Sequence, residues 1–143
     1  MKLLDDRITE NFRLSEFANT IDGGAVLLNP DVIRFVQMLQ VFRNWYNRPV
    51  NISSGYRTAA FNRKVGGASN SYHLKGLAVD FLLPTEYYSF AQQRKNEFLN
   101  NIKTKWYDIC SKGGVSGSVI YYDSYIHISW WPSTYFEDKR TKK

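Results

Sequence analysis

Two short stretches alternate strictly between apolar and polar positions, and each sets an ionisable side chain on the front of a strand whose back must be buried. In GLAVDF (76–81), Leu77, Val79 and Phe81 share one side, while Ala78 and Asp80 share the other. In YIHISW (125–130), Ile126, Ile128 and Trp130 face one way, and Tyr125, His127 and Ser129 face the other. A fold built on these strands must satisfy Asp80 and His127, because an unpaired buried charge is very costly. The chain has only 2 histidines. The other, His73, precedes a turn at Gly76 and so can fold back towards Asp80.

The rest of the chain supplies helices to cover such strands. NPDVIRFVQMLQVFRNWYN (29–47) carries Phe35, Leu39, Phe42 and Tyr46 at helical spacing, with Val32 and Met38 beside them. Asn29 is its predicted cap, Pro30 its first residue, and Asp31 suits the positive end of the dipole. NFRLSEFA (11–18) reads as a short helix start with Ser15 as cap. RPVNISS (48–54) reads as a short strand leading to a sharp turn at Gly55, and 61–72 as loop. A second helix is expected from Thr85 to about Lys112, with Phe90, Phe98, Ile102, Trp106 and Ile109 as its stripe and Gly113 and Gly114 as its stop. Two strands over 117–131 then turn near Asp123 and Ser124. The class expected is α+β, helices flanking an antiparallel sheet.

At 143 residues, 43% hydrophobic and 16% aromatic, the composition excludes a disordered chain and fits one domain over 1–136. Residues 137–143, EDKRTKK, read as a solvated, frayed basic tail. The single cysteine, Cys110, permits no internal disulfide and reads as a small buried apolar residue. MKLLDDRITENF (1–12) lacks the apolar run of a signal peptide or membrane span, so the chain is expected to be made as a soluble protein, without membrane insertion. The net charge of +6, of which the tail carries about +2, favours a polyanionic partner. Outside the tail there is no Arg/Lys stripe with interleaved aromatics, which argues against nucleic acid. Nothing in the sequence sets the oligomeric state.

Two histidines and a carboxylate with one open position form a recurring catalytic zinc set. Taken alone, His73, Asp80 and His127 have two readings: metal ligands, or ordinary paired residues with Asp80 bound to Lys75 or Arg57. The surrounding motif bears on the choice. The segment 54–81, SGYRTAAFNRKVGGASNSYHLKGLAVDF, resembles the peptidase M15 family of zinc D-Ala-D-Ala carboxypeptidases and peptidoglycan endopeptidases, in its first subfamily and phage endolysin type. The matching positions are Ser54, Gly55, Tyr56, Arg57, Asn62, Gly66, Gly67, Ser71, His73, Gly76, Ala78 and Asp80, with His127 as the later histidine. The likeness runs over about residues 11 to 130 and is weak between 84 and 118.

The resemblance implies a hedgehog/DD-peptidase-like fold and one Zn²⁺ per chain held by His73, Asp80 and His127. It implies that Arg57 binds a substrate carboxylate or steadies a developing oxyanion, and that Ser71 hydrogen-bonds substrate or a ligand. Tyr125, Trp130 and Trp131 are candidates to line the cleft, with at least one of the two tryptophans expected to pack in the core instead. One departure stands out. Many members carry an acidic base three residues before the last histidine, where this chain has Ser124. Asp123, one residue further back, is either that base or a turn residue. The activity implied is cleavage of an amide bond in peptidoglycan stem peptides, as a D-Ala-D-Ala carboxypeptidase or an L-Ala-D-Glu endopeptidase. The setting implied is a phage or prophage lysis enzyme released through a holin, or a component of a phage particle. The alternative is a non-catalytic peptidoglycan-binding or phage structural module on the same fold.

Overall fold

The computed structural model describes residues 6–18 and 23–143. Helix α1 spans Pro30–Tyr46 and begins where its capping residues predict. The Asn29 side chain accepts the Val32 amide at 2.9 Å, and Asn47 leaves the helix in the left-handed conformation at φ 54°. Helix α2 is a short segment, Ala59–Lys64, capped by the Thr58 hydroxyl. Helix α3 spans Gln92–Lys112. Among the described residues five strands form one sheet: β1 (Ile52–Ser54), β2 (Ala78–Leu82), β3 (Ser116–Tyr121), β4 (Tyr125–Trp131) and β5 (Tyr135–Asp138). Their spatial order is β1-β2-β4-β3-β5, with every pair antiparallel except β3 and β5, which run parallel. The class is α+β, as expected.

The alternation of β2 and β4 divides the sheet into two faces. Val79, Phe81, Val119, Ile126 and Ile128 are fully buried in one core with Phe35, Leu39 and Phe42 of α1 and Leu99, Ile102 and Trp106 of α3. Ring contacts close this layer: Phe42 meets Phe81 at 5.7 Å, and Phe35 meets both Trp106 at 5.8 Å and Trp130 at 6.0 Å. Burying each such side chain stabilises the fold by roughly 1.5–3 kcal/mol. On the opposite face Asp80 of β2 stands opposite His127 of β4 in the ladder, and the next pair, Ala78 and Ser129, lies beside them.

The structure corrects several expectations. The helix expected from Thr85 starts at Gln92; residues 85–89 form a separate 3₁₀ turn, and Phe90 and Ala91 are extended. The Phe90 ring packs on Tyr87 and Phe98, so tertiary contact overrides helical propensity there. Ser15 does not cap a helix: it lies inside a 3₁₀ turn, Leu14–Phe17, entered from Arg13, and its amide donates to Asp6. Gly55 has a steric role, since a Cβ there would fall 2.7 Å from backbone atoms of Phe17. The basic tail is not frayed at its start. Glu137 and Asp138 end β5, Lys139 donates its amide to Tyr121, and Arg140 is 7% exposed between Asp138 and Asn96 of α3. Among the described residues, no helix is long and apolar enough to cross a membrane.

Candidate metal centre

Three elements bring the ionisable residues together. His73 sits in a 3₁₀ turn, Tyr72–Lys75, whose cap is Ser71: the Ser71 hydroxyl accepts the His73 amide at 3.2 Å. The turn closes at Gly76, at φ 69°, and delivers the chain into β2 and Asp80. His127 reaches the same point from β4. Ligand atoms from His73, Asp80 and His127 all lie within 4.8 Å of one another, and the two imidazole rings stand 5.2 Å apart.

The hydrogen bonds show what this group is suited to hold. His73 Nδ1 lies 2.6 Å from the Gly55 carbonyl oxygen, which can only accept, so Nδ1 carries the proton. In the neutral ring Nε2 is then a lone pair, and it points at Asp80 Oδ1 across 3.4 Å. Two electron-rich atoms face one another, an arrangement that a cation between them relieves. A backbone carbonyl orienting the far nitrogen is the usual support for a metal-ligating histidine. His127 Nδ1 lies 2.8 Å from the same carboxylate oxygen.

Burial opposes ionisation of Asp80, but the imidazoles of His127 and His73 beside it outweigh that and hold the carboxyl far below its ordinary range. Burial lowers the His127 pKa, against the pull of Asp80, which favours the neutral ring a metal needs. The residues present therefore fit a divalent metal with N/O preference, zinc foremost.

Arg57 stands beside the trio. Its Nη2 is 3.5 Å from Asp80 Oδ2, its Nε donates to the Ser54 hydroxyl at 3.2 Å, and its Nη1 donates to Asn62 at 3.3 Å. The centre opens into a cavity of about 440 Å³ that Arg57, Ser71, Tyr125 and Trp131 help to line. Tyr125 is stacked on Tyr122 at 4.3 Å, and Trp131 rests on Tyr72 at 4.9 Å. Trp130 points the other way, into the core.

Asp123 is placed elsewhere. It is exposed in the turn between β3 and β4 and does not line the cavity. Its carboxylate accepts from the Thr141 hydroxyl and amide, and these bonds lower its pKa. As the chain is folded, Asp123 fastens the C-terminal segment and not a group at the metal centre. Several lining residues lie outside the expectations from sequence: Glu137 and Lys139 fall in the stretch expected to fray, and Tyr122 carries no signal of its own. Asn62 stands within the motif, but only the fold shows what it touches.

Compared with known proteins, the sequence matches the family model Peptidase M15 over residues 10–129, which include all three candidate ligands. No curated protein matches the chain.

Proposed function

The chain belongs to the peptidase M15 family, and from that premise we propose that it is a zinc-dependent peptidase cutting an amide bond in peptidoglycan stem peptides. The observation that carries this reading is the convergence of His73 Nε2, Asp80 and His127 inside a cavity with a guanidinium beside them. His73, Asp80 and His127 are the residues that would hold the zinc. When bound, the metal supplies a Lewis acid for the scissile carbonyl and makes its water more acidic.

The chain's own groups do the rest. Arg57 is suited to bind a carboxylate on the residue that follows the scissile bond, because its planar fork is always charged and bidentate. Such a carboxylate is present both in a terminal D-Ala and in D-Glu linked through its side chain, so the reading covers a D-Ala-D-Ala carboxypeptidase and an L-Ala-D-Glu endopeptidase alike. Tyr125, Tyr122 and Trp131 form walls that exclude water from the peptide. The positive net charge aids encounter with anionic wall polymers. A phage or prophage lysis enzyme, or the wall-opening component of a particle, is the role this combination serves. The position of Asp123 favours one second reading, a zinc-containing module that binds peptidoglycan without cutting it.

The test is metal analysis of the purified chain and of His73→Ala, with digestion of peptidoglycan by the same samples. About one zinc per chain, lost in His73→Ala, is expected. New amino groups or free D-Ala should appear from cell wall and vanish with chelator. Failure to load zinc from excess metal would overturn the proposal; zinc without any released product would favour the binding module.

A further inference from the structure

Asn62 is a deeply buried polar side chain beside the site, at 2% exposed, and its backbone and side-chain amide groups all have partners. Its amide donates to the Thr58 carbonyl at 2.9 Å, and its carbonyl accepts from Gly67 at 2.8 Å. Its Nδ2 donates to the Ala68 carbonyl at 2.9 Å, and its Oδ1 accepts from Arg57 Nη1 at 3.3 Å. One side chain thus ties α2, the 66–70 loop and the Arg57 guanidinium together. The fit leaves no slack: a Cβ on Gly67 would fall 2.0 Å from Asn62 Oδ1 and 3.0 Å from Arg57 Nη1.

The chemistry of these contacts matters as much as their number. Arg57 has three acceptors, and two of them, the Ser54 hydroxyl and the Asn62 amide oxygen, are neutral. A neutral acceptor aims a guanidinium without cancelling its charge, whereas a carboxylate in the same place would do both. Among the described residues the one carboxylate paired with Arg57 is Asp80, at 3.5 Å, and Asp80 is shared with both histidines. The guanidinium is therefore held on the cavity wall by two neutral acceptors, with one shared carboxylate beside it.

We infer that Asn62 is a positioning residue: its neutral amide oxygen aims Arg57 while leaving the positive charge available for a substrate carboxylate beside the scissile bond. This rests on the peptidase reading and narrows it to peptides whose leaving residue carries a free carboxylate. Asn is suited to the task over Asp because it offers an uncharged acceptor to Arg57 and a donor to Ala68 at once.

The experiment uses the zinc-loaded chain and two blocked peptides, N-acetyl-D-Ala-D-Ala and N-acetyl-L-Ala-D-Glu capped at its side-chain carboxyl. Each is supplied as the free α-acid and as the α-amide. Binding is followed by quenching of intrinsic fluorescence, with zinc content measured on the same samples. The natural chain should prefer acid over amide by about tenfold or more for at least one peptide, a preference near 1.4 kcal/mol. Asn62→Asp, almost the same shape but charged, should reduce that preference to near unity with zinc retained. Asn62→Ser, which withdraws the acceptor without adding charge, should weaken acid binding severalfold and leave amide binding unchanged; this holds as a test even if Asn62→Asp fails to fold. An unchanged preference in Asn62→Asp, or equal weakening of acid and amide in Asn62→Ser, would overturn the inference and leave the peptidase reading intact. Equal binding of acid and amide by the natural chain would do the same. A natural chain that binds none of the four peptides would overturn both.

Discussion

At the residue scale, each carboxylate's surroundings decide what it can do. Among the described residues the cavity is lined by two, Asp80 and Glu137. Asp80 is committed to two histidines and Arg57. Glu137 accepts from the Tyr135 hydroxyl at 2.6 Å and lies 3.7 Å from the Lys139 ammonium. Ladder pairing sets Glu137 opposite Ile120, and Ile120 opposite His127. Two strand spacings, about 10 Å of backbone, thus separate Glu137 from His127, so it lies on the cavity wall at a remove from the candidate ligands. Glu137→Gln is expected to raise KM severalfold with kcat held within about threefold, as loss of ground-state binding does. Asp123→Asn should leave zinc content and both kinetic constants nearly unchanged, while amide exchange and proteolysis at Thr141 quicken, because its hydrogen bonds go to that segment. Cleavage abolished in Asp123→Asn with zinc retained would show instead that the turn opens and Asp123 serves as the base.

At the element scale, the site depends on helices that never touch it. Trp106 of α3 is fully buried, sets its ring edge-on to Phe35 and Phe42, and donates Nε1–H to the Ser129 carbonyl at 3.0 Å. Ser129 lies two residues from His127 on the same strand. Trp106→Ala is expected to destabilise the fold by about 3–5 kcal/mol, read from urea unfolding. Trp106→Phe should recover most of that loss, since it restores the ring while leaving the Ser129 carbonyl without its donor. A variant Trp106→Ala as stable as the natural chain would mean that α3 does not support β4 in this way. The helix bounds show where local signals stop. Asn29, Pro30 and the Phe35–Tyr46 stripe announce α1 because cap and periodicity agree within one segment. The start of α3 lacks a side-chain cap, and its boundary follows from Phe90 turning into the cluster with Tyr87 and Phe98.

At the scale of the whole molecule, the chain has 10 tyrosines, and burial raises the pKa of several. Tyr46, Tyr107 and Tyr125 are each pushed from the ordinary 10 up to about 12 by loss of water around the phenol. A folded pKa above the unfolded one contributes stability that is intact below pH 10 and is lost as pH rises through about 12. Melting temperature is therefore expected to hold up to about pH 10 and fall steeply above it, together with delayed phenolate absorbance near 295 nm. Phenols that all titrate near 10 with no loss of folding would contradict this.

Much of the site was legible because strand alternation is a local rule. The period of two alone set Asp80 and His127 on polar faces with apolar backs, and the turn at Gly76 let His73 return to them. The α+β class and the core stripe of α1 followed from the same kind of evidence within short segments. Other features were settled by pairing between distant parts of the chain. β5 forms only because the segment after Trp131 returns beside β3, and Arg140 then finds Asn96 of α3 and Asp138. That pairing turned residues expected to be a frayed tail into a wall of the cavity and drew Asp123 towards Thr141. The contacts of Asn62 likewise depend on how a loop closes over α2. Which faces are apolar, and which ionisable residues they carry, is written in neighbouring positions of the chain. Which partner each polar group found is written nowhere locally, because a hydrogen bond is directional and short, and its partner comes from wherever the folded chain returns.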